Sequence, residues 1–239
     1  MILVAAGDSF TWGSELADSR GGGPNGYSQN TYPALLAKEY SMAYYCAAYP
    51  GDANNAISRR AISACESNRQ SKFLLVTWTY PQRAEFRFKD GWSSVNSWHT
   101  NHQEFSENYF KHVGNNEYYE IYNVLKEIVY LQQYCECNDV PYLFMTADNH
   151  FYQHENYQRS HDTDIDNLYN QIDWSRWFWF DPGTEANETL APRGFYQWAV
   201  ENKYSVGKQG HPLEQAHKDA AELIKEKFNE LVKKSIQSN

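Results

Sequence analysis

The chain has 239 residues, 41% of them hydrophobic, with 19 tyrosines, 8 tryptophans and a formal net charge of −9. That length fits one large domain with enough apolar residues for a buried core. The negative charge counts against a nucleic acid backbone or an anionic membrane surface as partner, because either would add repulsion.

MILVAA is short, apolar throughout and followed by Gly7, the pattern of a strand buried on both faces of a parallel sheet. TYPALLAKEY reads as a helix with Thr31 as candidate cap and Pro33 in its first turn. MAYYCAAY predicts a second strand, and after the turn PGD a helix runs from Ala53 to about Ser67. KFLLVTW predicts a third strand that Pro81 stops. The longest predicted helix covers about Glu117 to Cys137, with Ile121, Val124, Leu125, Ile128 and Leu131 at helical spacing. VPYLFMTA predicts a fourth buried strand, and a final helix from about Leu213 to Lys233 carries Ala216, Ala220, Ile224, Phe228 and Leu231 on one stripe.

Strands alternating with helices imply a parallel sheet between helical layers, an α/β fold. Two stretches break the alternation, about 80–116 and 148–210, and are expected as long loop insertions over one end of a single domain. Ligands in such folds bind outside the carboxyl ends of the strands. Cys46, Cys65, Cys135 and Cys137 lack CxxC spacing, so free thiols in a reducing compartment are expected. No apolar run approaches a membrane span, and a strand starting at Met1 or Ile2 leaves no room for a signal peptide. A soluble, cytoplasmic protein is the expectation.

Ser9, in AAGDSFTWG, follows the first buried strand at the end of the sheet where such folds place their chemistry. It is either a nucleophile presented at the start of a helix or, with Asp8, a simple cap. The G-x-S-x-G elbow of the α/β-hydrolases is missing.

Three blocks bear on the choice: GDSFTWG after the first strand, YPGDANNAISRR after the second, and GHPLEQAH before the last helix. Together they resemble the SGNH (GDSL-like) hydrolase family over essentially the full length. The resemblance implies a three-layer α/β/α sandwich with a parallel, flavodoxin-like sheet. It makes Ser9 the nucleophile, His211 the general base and Gly51 a backbone oxyanion donor. Gly51, Asn54, Ile57 and Arg60, then Trp78, Thr79, Pro81, Arg83 and Glu85, resemble in particular a subgroup associated with phage genomes, which implies a viral protein made in the host cytoplasm.

Ester hydrolysis needs an activated hydroxyl, a base and donors aimed at the developing oxyanion. Ser9, Gly51 and the Asn54 amide are the expected oxyanion donors. The family's usual amide follows the third strand, where this chain reads TWTYP, so Thr79 is the alternative to Asn54. The family also places Asp three residues before the histidine, and Lys208 stands there. Three explanations compete: a Ser–His dyad with a carbonyl orienting the ring, an acid from elsewhere such as Asp181 or Glu214, or a weakened enzyme. Asp8, Thr79, Arg83 and Asp148 are candidate substrate contacts.

Other signals are weaker. DTDIDNLYNQID, Asp162 to Asp173, spaces carboxylates like a calcium loop but lacks its glycine and final glutamate. His150 and His154, and His99 and His102, lack specific metal-ligand spacing. His217 offers a rival base, although a position inside the last helix favours packing. The tryptophans of DGWSSVNSWH and DWSRWFWF are either sugar-stacking walls or a hydrophobic cluster under a long loop. GGGPNG lacks the lysine of a phosphate loop. The expected protein is an esterase or deacetylase acting on O-acyl groups of a carbohydrate or other small polar ester, without cofactor. A non-catalytic binding or virion-associated module and an acyltransferase are the alternatives.

Overall fold

A computed structural model describes residues 1–21, 25–96, 102–149, 163–181 and 192–237. In chain order these form β1 (Ile2–Ala6), α1 (Ser9–Trp12), α2 (Tyr32–Glu39), β2 (Ala43–Cys46), α3 (Asn54–Ser67), β3 (Lys72–Trp78), β4 (Ala84–Phe88) and β5 (Gly91–Val95). The chain continues with α4 (Gln103–Tyr109), α5 (Glu117–Cys137), β6 (Tyr142–Thr146), α6 (Thr163–Tyr169), α7 (Phe195–Glu201) and α8 (Glu214–Gln237).

Four strands form a wholly parallel sheet in the order β2-β1-β3-β6. β1 and β3 are central and buried on both faces, which accounts for their unbroken apolar runs. Their residues alternate between two cores. Val4, Ala6, Leu74, Val76 and Phe144 pack with Ile57 and Ala61 of α3 and with Ile121, Leu125 and Ile128 of α5. Leu3, Phe73, Leu75, Leu143 and Met145 pack with Leu36 of α2 and with Ile224 and Phe228 of α8. The result is the expected three-layer α/β/α sandwich. Each fully buried aliphatic side chain contributes about 1.5–3 kcal/mol of transfer free energy, so the two cores dominate the stability of the fold. Asn116 caps α5 by accepting from Tyr119 N at 3.1 Å. Thr31 stands at the α2 N-cap but makes no side-chain cap bond. The four cysteines are free thiols, with Cys65 and Cys135 buried.

The stretch expected as a loop insertion after β3 contains a β-hairpin. β4 pairs antiparallel with β5, from Ala84 opposite Val95 to Phe88 opposite Gly91. Asn55 joins this hairpin to α3: its Nδ2 donates to Glu85 O and its Oδ1 accepts from Glu85 N, both at 2.9 Å. The Asn55 amide thus completes the backbone pairing of Glu85 as a neighbouring strand would. Arg59 adds a two-pronged contact to the Glu85 carboxylate at 2.8 and 2.7 Å.

In the second insertion, Phe178 N donates to Phe144 O at 2.9 Å, and Trp177 forms a parallel bridge that lengthens the sheet beyond β6. Trp174, Trp177 and Trp179 contact one another, with ring centroids 5.0 and 5.4 Å apart along the series, and pack against the α5-side core. Their role is packing rather than the sugar-stacking wall weighed as its alternative. Asp164 and Asp166 lie in the helix α6 and Asp173 caps the short turn after it, an arrangement of capping carboxylates rather than a calcium loop. Asp162, His99, His150 and His154 fall outside the described residues. Among the described residues no helix is long and apolar enough to cross a membrane.

Candidate active site

β1 delivers Gly7, Asp8 and Ser9 to the carboxyl end of the sheet, and Ser9 opens the single turn α1, where backbone N–H groups have no intrahelical acceptor. Asp8 is the N-cap of α1, its Oδ1 accepting from Phe10 N at 3.0 Å. Its Oδ2 accepts from Thr79 Oγ1 at 2.6 Å and from Arg83 Nη1 at 3.1 Å. Asp8 is fully buried and the Arg83 side chain is 7% exposed. Asp8, Thr79 and Arg83, expected as substrate contacts, are bonded to one another. They fasten the serine turn to the loop after β3, and burying a charged pair is tolerable because both ends are hydrogen-bonded.

The turn after β2 is fastened to the same place. Tyr49 N donates to Gly7 O at 3.2 Å, and Gly51 bends the chain with a φ of +80°, in the left-handed region where a side chain is strained. The expected oxyanion donor Asn54 has another task. Its Nδ2 donates to Thr79 O at 3.1 Å and Tyr80 O at 3.3 Å, and its Oδ1 accepts from Thr79 N at 2.8 Å. The amide is committed to the backbone leaving β3. Burial pushes the neighbouring Asp52 carboxyl up, while Arg60, 3.2 Å away, pulls it back.

His211 sits in the loop between α7 and α8, closed by a Gly207 N bond to His211 O at 2.8 Å. The His211 ring packs edge-on against Phe10, the residue after Ser9, with centroids 5.4 Å apart. Its Nδ1 is 2.8 Å from Oε2 of Glu15. The carboxylate beside the ring thus belongs neither to Asp181 nor to Glu214, the acids expected there, but to the loop that leaves α1. Glu214 is occupied elsewhere, accepting from Ala17 N at 2.8 Å, and Asp181 bridges Arg193 through its backbone at an exposed position.

The Glu15 carboxylate also accepts from Gln209 N at 2.9 and 3.0 Å and from His211 N at 3.3 Å. Partial burial works against the charge, but the bonds from His211 and from the Gln209 and His211 amides prevail and hold its pKa below the usual glutamate value. An ionised carboxylate only accepts, so the Nδ1–Oε2 contact puts the ring proton on Nδ1 and leaves the Nε2 lone pair available as a base. Two unusual backbone features make the contact. Glu15 has a φ of +68°, a conformation that costs a non-glycine residue on the order of 1–3 kcal/mol and commonly marks a functional site. Gly207 lies so close that a Cβ there would come within 2.5–2.7 Å of the Glu15 carboxylate atoms.

His217, the rival base, is buried and stacked on Tyr32, with centroids 5.6 Å apart. Its Nδ1 accepts from Tyr32 N at 3.3 Å, and burial holds its pKa down at about 3. It is a neutral core histidine. Asp148 is buried where β6 ends, and its charge contributes to raising the Tyr80 pKa, behind the larger effect of burial.

No protein-family model and no curated protein matches the chain. Solved structures do. TesA has a TM-score of 0.52 at 12% identity, over 97% of this chain and 99% of that one. A protein from Desulfitobacterium hafniense DCB-2, described as a lipolytic protein of the G-D-S-L family, has a TM-score of 0.50 at 12% identity, over 95% and 98%. A carbohydrate esterase family 2 enzyme with a carbohydrate binding domain, from Corynascus thermopiles (Myceliophthora fergusii), has a TM-score of 0.50 at 11% identity, over 94% of this chain and 64% of that one. At such identities the likeness is one of fold, an α/β/α sandwich that spans nearly the whole of this chain.

Proposed function

We propose that the chain is a serine hydrolase of carboxylic esters, with Ser9 as nucleophile, His211 as general base and Glu15 as the residue that positions the base. The observation that carries this reading is the 2.8 Å contact between Glu15 and His211 Nδ1. Lys208 in place of an acid would suit a weakened, non-catalytic module, and the Glu15 carboxylate beside His211 favours the catalytic reading over it.

In the proposed reaction the Ser9 Oγ bonds to the acyl carbon as its proton passes to His211 Nε2. The main-chain N–H groups of Ser9 and Gly51 receive the developing oxyanion. Collapse breaks the bond from the acyl carbon to the alcohol oxygen, and the alcohol leaves with the proton from Nε2. Water then attacks the acyl-enzyme by the same route, releasing the carboxylic acid and restoring Ser9. An acceptor alcohol in place of that water would give acyl transfer, which product analysis with added alcohols distinguishes.

Labelling with a fluorophosphonate and turnover of p-nitrophenyl acetate test the reading. Wild type should label and turn over, Ser9→Ala should do neither, and His211→Ala should lose at least 10³-fold in rate. Full activity in Ser9→Ala, or an unlabelled and inactive wild type, would overturn it.

A further inference from the structure

A cleft of about 350 Å³ lies between the turn after β2 and the β4–β5 hairpin, and Gly51 forms part of its wall. That size lies within the range of small-molecule sites. Its two rims are aromatic: Tyr49 is 42% exposed on one side and Trp92 is 52% exposed on the other. Tyr49 meets the buried Trp12 edge-on, with ring centroids 5.6 Å apart, yet it and Trp92 leave two aromatic surfaces open on either side of one cleft.

Each rim is backed by a fixed guanidinium. Arg59 lies 4.5 Å over the Trp92 ring and is gripped by Glu85. Arg60 lies 5.4 Å from the Tyr49 ring centre and donates from Nε to Ala47 O at 2.7 Å, with Asp52 beside it. The Asn55 clamp on Glu85 and the bond from Ala53 N to Ser94 Oγ at 3.3 Å hold the hairpin against α3. The rims are thus set before any ligand arrives, which spares the entropy of ordering them. Both guanidinium groups already have carboxylate partners, so the cleft does not call for an ionic ligand. It offers aromatic surface with hydroxyl, guanidinium and carboxylate groups between.

We infer that this cleft binds a sugar ring, so that the ester cleaved at Ser9 is an O-acyl carbohydrate whose sugar is the leaving alcohol. A pyranose has an apolar C–H face that suits an aromatic ring and equatorial hydroxyls that donate to carboxylates and accept from guanidinium groups. An alkyl chain would leave those polar groups unmatched. The cleft and the candidate active site share Gly51, whose turn is tied by Tyr49 N to Gly7 O, two residues before Ser9. The assignment of the ester rests on the reading of Ser9 as nucleophile, whereas binding of the sugar does not.

Two measurements separate the two claims. Binding of neutral, unacetylated oligosaccharides to Ser9→Ala protein, followed by calorimetry, reads the cleft without catalysis. It should be weakened at least tenfold by adding Trp92→Ala and partly restored by Trp92→Phe, with circular dichroism confirming that each variant is folded. Kinetics on partially O-acetylated oligosaccharides should then show Trp92→Ala losing at least tenfold more in kcat/KM there than on p-nitrophenyl acetate. Failure of every neutral sugar to bind, binding indifferent to Trp92, or preferential binding of inorganic phosphate would overturn the proposal. Equal losses of kcat/KM on both esters would overturn it as well. Sugar binding with no esterase activity in wild type would overturn the nucleophile and the ester while leaving the sugar site in place.

Discussion

Glu15 and His211 lie 196 positions apart in the chain, and their side chains meet at 2.8 Å. The carboxylate reaches the ring from the loop that leaves α1, the helix opened by Ser9, so the proposed nucleophile and acid lie on one short segment. The proposed base comes from near the other end of the chain.

Removing the Glu15 charge should lower activity without unfolding the protein. Glu15→Gln is expected to reduce kcat by on the order of 10³–10⁴, the scale seen when a triad histidine loses its carboxylate. Glu15→Asp should recover part of the rate. Stopped assays on the three proteins check this, and an unchanged kcat in Glu15→Gln would reduce Glu15 to a structural loop residue.

Gly207→Ala should separate positioning from folding. The new methyl group meets only the tip of the Glu15 side chain, which swings aside cheaply. Thermal stability is therefore expected to change by no more than a few degrees while kcat falls at least tenfold. Scanning calorimetry beside kinetics reads both quantities.

His217 should weaken the protein in acid. Its folded pKa of about 3 lies below the ordinary histidine value, so the unfolded chain binds more protons. The stability it supports is complete above about pH 6.5 and drains away as pH falls toward 3, by an amount on the order of 4 kcal/mol. His217→Gln should be less stable than wild type at pH 7.5 yet lose less between pH 6.5 and 4. Its fluorophosphonate labelling at pH 7.5 should persist. Urea titrations across that range give the comparison.

Breaking the Asp8–Arg83 pair should be costly. Both side chains are buried and their contact is 3.1 Å, so Asp8→Ala takes the carboxylate away from a buried cation that keeps only its bonds to Thr79 and the Asp52 carbonyl and its other neutral contacts, such as the Tyr80 ring. The expected destabilisation is about 3–5 kcal/mol, larger than for a surface pair. Equilibrium denaturation measures it, and a loss below about 1 kcal/mol would show that the pair does not hold the serine turn.

The sheet was readable because β1, β3 and β6 are continuous apolar runs bounded by turn residues, and the two long helices because their stripes are regular. Ser9 and His211 are suggested by the blocks around them, and the structure sets Phe10, next to Ser9, against the His211 ring. Glu15 was not readable, because nothing local in GSELA points to a histidine so far along the chain, and the left-handed turn that aims it is a tertiary outcome. Asn54 was misread for the opposite reason: it occupies an expected position, but its amide is consumed by the Thr79 and Tyr80 backbone. The hairpin was hidden in a segment too polar to look like sheet, although Phe86 and Phe88 alternate with charged residues ahead of an Asp-Gly turn signal.

On the proposed mechanism, the long reach from Glu15 to His211 also sets a clock on activity during synthesis. A ribosome-bound chain shows Ser9 and Glu15 early, but the proposed base is absent until residue 211 has been made and its loop has closed on the waiting carboxylate. Contacts so distant in sequence form late in folding. Nascent fragments would therefore be chemically silent, and competence would begin when translation has passed the segment before α8.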